Sequence, residues 1–314
     1  MPPRHSIYSS PCIPNHGTGT FVRTTALDRI VNTFLCSPPP STPPLPPPPD
    51  GGRAEVGGRK QVVSLGAGSD TRFFRLRQSL PPHTLANLVY HEIDFAAVTA
   101  PKIAAIMRNR FFAAEEAAGA VVDEAAGSLA LPSSASASYY IHPLDLRTLK
   151  PDCQVPLTGV ETDIPTLFLS ECCLIYLSPE EADGILRWVT TAFMGDVGIA
   201  LYEPIGGEDA FGKVMIQNLA ARGIVLKTLK KYSSLERQKA RLRALGFASG
   251  QDAADVYFAS EHWVADAEKE RIGRLEMLDE VEEWRMLARH YCVAWGWRGD
   301  AFAAWRDAFP PQRE

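Results

Sequence analysis

Val62-Val63-Ser64-Leu65-Gly66-Ala67-Gly68-Ser69-Asp70-Thr71-Arg72 decides the fold. Apolar β-branched residues lead straight into a glycine-bracketed turn, and Phe73-Phe74-Arg75-Leu76 continues as helix. A second strand, Leu88-Val89-Tyr90-His91-Glu92-Ile93-Asp94, then ends in an acid. Strand, glycine turn, helix, strand and acid is the nucleotide-binding logic of doubly wound α/β sheets. Glycines let the backbone approach a ligand, and the acid at the second strand tip accepts hydrogen bonds from ribose hydroxyls. The glycines read G-x-G, without the third glycine of the dinucleotide fingerprint. That pattern favours an adenosine ligand without phosphates, such as S-adenosylmethionine. The bland alternative is an ordinary βα turn with a solvated aspartate.

Outward from this turn, strands and helices alternate. The sequence predicts strands at 61–65, 88–93, 138–142, 166–170, 197–203 and 289–297, and helices at about 70–78, 96–112, 179–192, 208–221 and 233–245. Such alternation implies an α/β fold with a mainly parallel sheet and right-handed crossovers. Ligands of such a sheet sit beyond the carboxyl ends of its strands. Upstream, Ala26, Ile30, Val31 and Phe34 share one face of a helix expected over 24–35. Pro38 to Gly58 holds most of the excess proline and reads as a disordered, polyproline-like, solvated loop. It is a tolerated insertion or a ligand for a proline-reading domain. Ala113 to Ala137 is rich in Ala and Ser and reads as a loop or a solvated helix end. The chain divides into an N-terminal segment, 1–59, and an α/β domain, 60–314.

A chain of 314 residues suits one large α/β domain with additions, or two small ones. Its formal net charge of −5 and the lack of a basic stripe exclude a nucleic-acid partner. No apolar stretch approaches a membrane span and no signal peptide opens the chain, so no membrane partner is expected. Cys12, Cys36, Cys153, Cys172, Cys173 and Cys292 lack metal-ligand spacing, so no metal is expected. A reducing cytosol is the simplest setting, which makes the protein cytoplasmic.

The strand ends carry the candidate chemistry at Gly66, Gly68, Asp94, Asp145, Glu171 and Glu203. Asp145 can accept from the exocyclic amine of an adenine while Leu146 covers a ring face, or it caps a helix. Glu171 closes an apolar run, where a carboxylate needs a partner. A sulfonium or its ammonium group is one partner, a buried arginine the other. Ser178-Pro179-Glu180-Glu181 starts a helix with a serine cap and proline at its first position. Tyr176 and Tyr202 are candidates for lining a substrate pocket, with core packing as the alternative. No G-x-S-x-G elbow and no plausible Cys/His pair supports nucleophilic catalysis, so no residue is assigned as an acid or base. His290 reads as a core histidine in a late strand.

Several ordered stretches resemble the leucine carboxyl methyltransferase family, whose members methylate the C-terminal leucine of the protein phosphatase 2A catalytic subunit. They are Thr20 to Thr25, LGAGSDTRFFRL from Leu65, EIDF from Glu92, DLR from Asp145, SECCLIYLSPEEA from Ser170 and YEPIGGEDAFGKVMIQNL from Tyr202. SLERQKARLRALGF from Ser234, RLEMLDEVEEW from Arg274 and RHYCVAW from Arg289 follow. The resemblance covers 20–36 and 60–297. It implies the S-adenosylmethionine-dependent methyltransferase (Rossmann-like) fold, a mainly parallel seven-stranded sheet with helices on both faces and added helical lid segments. It implies S-adenosyl-L-methionine as cofactor, the phosphatase catalytic subunit as partner, and a methyl ester that regulates holoenzyme assembly. A monomer is expected. By resemblance, Arg23 pairs with the carboxylate of the methionine moiety and Gly66 is the turn glycine against the ligand. Asp94 is then the ribose acid, Asp145 and Leu146 contact the adenine, and Glu171 lies beside the methionine amine. The chain is similar to fungal-type members with a short N-terminus. Members usually carry a cofactor-contacting lysine upstream of the arginine, and Met1 to His16 holds none. A truncated start and a more open methionine end are therefore expected.

Methyl transfer to a carboxylate needs no general base, because a terminal α-carboxyl with pKa of about 3.3–3.7 is already ionised. The missing catalytic dyad therefore does not argue against an enzyme. The competing readings are a relative methylating a small molecule or modified tRNA, and a non-catalytic phosphatase-binding protein of the same fold.

Overall fold

The computed structural model describes residues 16–37, 58–112, 119–133, 136–151, 153–154, 156–275 and 281–312. Its strands are β1 Lys60–Leu65, β2 Leu88–Asp94, β3 Val121–Asp123, β4 Ser128–Leu131, β5 Ser138–Pro143, β6 Thr166–Glu171, β7 Val197–Pro204, β8 Gly250–Asp255 and β9 Tyr291–Arg298. They form one sheet in the order β3-β4-β5-β2-β1-β6-β7-β9-β8. The five strands from β5 to β7 run parallel, and β9 lies antiparallel to both β7 and β8. From β5 to β8 this is the expected seven-stranded sheet.

The helices are α1 His16–Cys36, α2 Arg72–Ser79, α3 Pro82–Ala86, α4 Ala96–Arg108, α5 Pro179–Ala192, α6 Ala210–Ala220, α7 Leu235–Ala244, α8 Val256–His262, α9 Asp266–Gly273, α10 Val281–Arg289 and α11 Trp305–Ala308. Both faces of the central strands are covered. Val62, Tyr90, Leu167 and Leu169 join one core cluster with α1 and α8. Val63, Ile93, Phe168 and Ile199 join another with α5 and α7. Strand side chains alternate between faces, which is why neighbours in sequence enter different clusters. α5 starts where the sequence predicts it, with a capping box between Ser178 and Glu181.

Four expectations are corrected. α1 begins at His16, well before 24. Gly17 and Gly19 are poor helix formers, but α1 buries Val22, Leu27, Ile30, Val31 and Phe34, each worth about 1.5–3 kcal/mol. A Cβ on Gly19 would lie 3.4 Å from the Trp284 ring, an ordinary van der Waals contact with α10. The Ala/Ser-rich stretch holds the β3–β4 hairpin, which adds two antiparallel strands beyond β5 and buries Leu129 and Leu131. α4 stops at Arg108, and Arg110 takes a left-handed φ of 50°. The late strand starts at Tyr291, and His290 sits in the turn after α10. Residues 1–15 and 38–57, with Cys12 and the proline-rich run, lie outside the described residues.

Candidate functional site

Gly66 and Gly68 adopt φ of +65° and +52°, which glycine enters freely. A Cβ on Gly66 would collide with the Cys173 side chain. A Cβ on Gly68 would meet nothing within 4 Å, so that residue borders open space. The Gly68 N–H donates to Asp94 Oδ2 at 2.8 Å, and the Phe95 N–H to Oδ1 at 2.7 Å. These bonds join the tips of β1 and β2 and use two of the roughly four lone-pair positions of a carboxylate.

One strand over, the Leu144 N–H donates to the Asp94 carbonyl at 2.9 Å. That bond brings Asp145 and Leu146 near Asp94. Asp145 accepts the Arg147 N–H at 3.0 Å, capping a short 3-10 turn, and Arg147 Nη2 donates to its Oδ2 at 2.6 Å. The Arg147 side chain and backbone together hold this carboxyl below the usual range. Capping is one of the two readings the sequence left open. Leu146 is buried in the second core cluster, and neither residue lines the cleft around Arg23.

β6 delivers Glu171, α1 delivers Arg23 and the start of α2 delivers Arg72. Arg23 Nε lies 2.8 Å from Glu171 Oε1, a charge contact whose N–H is not aligned for a hydrogen bond. Arg72 is buried, with Nη2 3.3 Å from Glu171 Oε2, Nε 2.8 Å from Asp28 Oδ1 and Nη1 on Asp70. One guanidinium thus ties α1, the glycine turn and β6 together. The buried-arginine reading of Glu171 is the arrangement present. The terminal nitrogens of Arg23 make no hydrogen bond among the described residues, so its fork is free.

Two cavities meet at Arg23. The first, of about 430 Å³, is polar and is lined by Thr20, Arg23, Gly66, Gly68, Asp70, Arg72 and Glu171 among others. The second, of about 190 Å³, is mostly apolar and is lined by Cys172, Tyr202, Val256, Trp284, Leu287, Ala288 and Tyr291, together with Gly19, Thr20 and Arg23. Tyr202 stacks on Tyr291 at 5.6 Å, and the Arg23 guanidinium lies 5.6 Å from the Tyr202 ring centre. Burial raises the Tyr202 hydroxyl well above its ordinary pKa and pushes the Cys172 thiol to about 12, so both stay neutral. Cys172 takes a left-handed φ of 49°, strain of the kind that collects at functional sites. Tyr176 is exposed and lines neither cavity.

Glu203, although at a strand end, is buried away from the cleft. Arg241 Nη1 and Gln238 Nε2 each lie 3.2 Å from its Oε2. Sequence reasoning missed Arg72, Asp28, Trp284, Leu287 and Tyr291. The helical spacing of Trp284, Leu287 and Ala288 was the available signal for α10. Asp28 and Arg72 meet only through tertiary structure.

The leucine carboxyl methyltransferase profile matches residues 53–190. A Leucine carboxyl methyltransferase 1 from Aspergillus fumigatus is 45% identical, over 94% of this chain and 77% of that protein. This chain belongs to the leucine carboxyl methyltransferase family. A second such protein, from Emericella nidulans, is 46% identical over 94% of the chain and 78% of its own length. A third, from Yarrowia lipolytica, is 38% identical over 91% and 79%. The leucine carboxyl methyltransferases take their methyl group from S-adenosylmethionine, and the chain is a methyltransferase of this kind. No helix among the described residues is long and apolar enough to cross a membrane.

Proposed function

We propose that this leucine carboxyl methyltransferase esterifies the C-terminal leucine α-carboxylate of the protein phosphatase 2A catalytic subunit and so regulates holoenzyme assembly. The observation that carries the reading is the shared border, since Thr20 and Arg23 line both cavities. A cofactor site and an acceptor site must touch for a methyl group to pass between them.

The polar cleft fits S-adenosylmethionine. Gly68 has no Cβ beside open space, Asp94 has acceptors left for a ribose, and the Arg23 fork is free for a carboxylate. Within the cleft, Arg23 would hold the methionine carboxylate and Glu171 the methionine amine; Asp94 for the ribose and Asp145 with Leu146 for the adenine lie outside its lining, at the neighbouring strand tips. Bound S-adenosylmethionine supplies an electrophilic methyl group on a positive sulfonium.

The chain's own residues then have three tasks. The apolar pocket takes the leucine side chain, gaining about 0.8 kcal/mol per buried CH₂. It orients the ionised carboxylate, and ideal orientation can supply up to about 7–11 kcal/mol. Its walls exclude water from a weak, strongly solvated nucleophile, and because attack neutralises charge a dry site favours it. Glu171 keeps Arg23 from acting as a bare cation that would hold the attacking oxygen too tightly.

The test is transfer of labelled methyl to the phosphatase catalytic subunit with and without its terminal leucine. Base-labile label on the intact subunit alone is expected. Equal labelling of both forms would assign the pocket to another acceptor, and cofactor binding without transfer would make the protein a binder.

A further inference from the structure

The wall of the apolar pocket depends on a contact outside it. α10 supplies Trp284, Leu287 and Ala288 to that wall, and Tyr291 follows directly after the helix and its turn. Between them lies His290, buried and outside both cavities. Its Nδ1 lies 2.7 Å from the Met286 carbonyl oxygen, one of the unsatisfied carbonyls at the end of α10. Its Nε2 lies 3.0 Å from each oxygen of Asp209. Asp209 is the N-cap of α6, where it also accepts the Gly212 N–H at 2.7 Å.

Both ring nitrogens face oxygens that only accept, so the ring bridges the end of α10 to the start of α6. The imidazole meets the carbonyl end of α10, and the Asp209 carboxylate caps the N-terminus of α6, the helix end that favours an anion. The surroundings are shaped to the ring. Gly206 takes φ +72°, and a Cβ there would lie 2.8 Å from His290 Cδ2. The His290 carbonyl accepts the Ile205 N–H at 2.8 Å, and the Phe211 ring centre is 4.6 Å away.

We propose that His290 is a positioning residue, which with Asp209 clamps α10 to α6 and thereby sets the wall of the acceptor pocket. The proposal rests on the reading of that pocket as the leucine site. Without the clamp, the end of α10 that borders the pocket keeps its apolar packing, the Arg285 and Arg289 contacts with the Tyr257 ring and its link to β9, but loses its tie to α6. The pocket then samples wider shapes while the cofactor cleft, lined by α1, β1 and its glycine turn, α2 and β6, is untouched.

Asp209→Ser isolates the clamp, because serine still caps α6 but its short hydroxyl does not reach the imidazole. Asp209→Asn keeps both cap and acceptor. In Asp209→Ser, amide exchange across 281–289 should quicken roughly tenfold, as for loss of a charge-assisted hydrogen bond. KM for a leucine-terminated peptide should rise by a similar factor, with cofactor Kd unchanged, and Asp209→Asn should recover much of both. Unchanged exchange in α10 would overturn the clamp. Faster exchange with unchanged KM would show that the clamp does not shape the pocket. If wild-type protein methylates no leucine peptide, the functional reading fails, while the exchange comparison still decides whether the clamp exists.

Discussion

Arg23 is the residue on which both cavities depend, and its chemistry is testable by shape. A guanidinium offers a planar fork to a carboxylate, whereas an ammonium is a point charge. Arg23→Ala should weaken S-adenosylmethionine binding more than Arg23→Lys, and both should weaken it, by calorimetric titration. Equal affinity in wild type and both variants would remove Arg23 from the cofactor site. Asp94 has a second task that its position at a strand tip did not announce. Asp94→Ala should cost about 1–3 kcal/mol in cofactor binding and should also lower Tm, since the Gly68 and Phe95 N–H groups lose their acceptor. A full-strength cofactor affinity in the folded variant would contradict the ribose role. The glycines and acids were legible because each ends a strand of strong apolar pattern. Arg72 was not, because nothing in its neighbourhood shows that Asp28, Asp70 and Glu171 converge on it.

Elements read well where periodicity and burial agree, as in β1, β2, β6, β7 and α5. They read poorly where packing overrides propensity, as in the glycine-bearing start of α1, or where strands are short, as in β3 and β4. Across β1, β2 and β5 runs a buried polar chain. His91 Nδ1 is 3.0 Å from His142 Nε2, and His91 Nε2 is 3.2 Å from Gln61 Oε1. Burial holds the His142 ring down to about 4 and His91 well below its ordinary value. Because the unfolded chain takes these protons first, stability falls as pH drops from about 6.5 toward 4. For His142 the loss is on the order of 3 kcal/mol. Glu92 acts in the opposite sense, since burial raises its carboxyl to about 7. His142→Gln should therefore flatten the acid side of a plot of urea midpoint against pH. Parallel curves for variant and wild type would show that burial of this ring is not the cause.

At the scale of the whole molecule, α1 and β1 are consecutive described elements separated by residues 38–57. The Lys60 ammonium donates to Phe34, Leu35 and Ser37 carbonyls at 2.7, 3.2 and 2.6 Å, so the flanks of that stretch already lie together. Loop-closure entropy changes slowly with length. Replacing 38–57 with a short Gly/Ser linker should leave Tm and methyl transfer nearly unchanged, and a large fall in Tm would show that the stretch packs on the domain. β8 carries no strand pattern strong enough to read, but the mainly parallel sheet followed from the alternation of elements, and its seven strands from the family resemblance. The apolar pocket did not, because Trp284, Leu287 and Tyr291 come from a region with no glycine turn or strand-end acid to mark it.

In the proposed reaction a leucine carboxylate and S-adenosylmethionine meet at Arg23. Its most direct test compares one peptide ending in leucine with the same peptide closed as a C-terminal amide, using labelled S-adenosylmethionine at saturation. A base-labile methyl ester is expected on the free acid, with no transfer to the amide. Equal transfer to both peptides, or label that survives base, would contradict it.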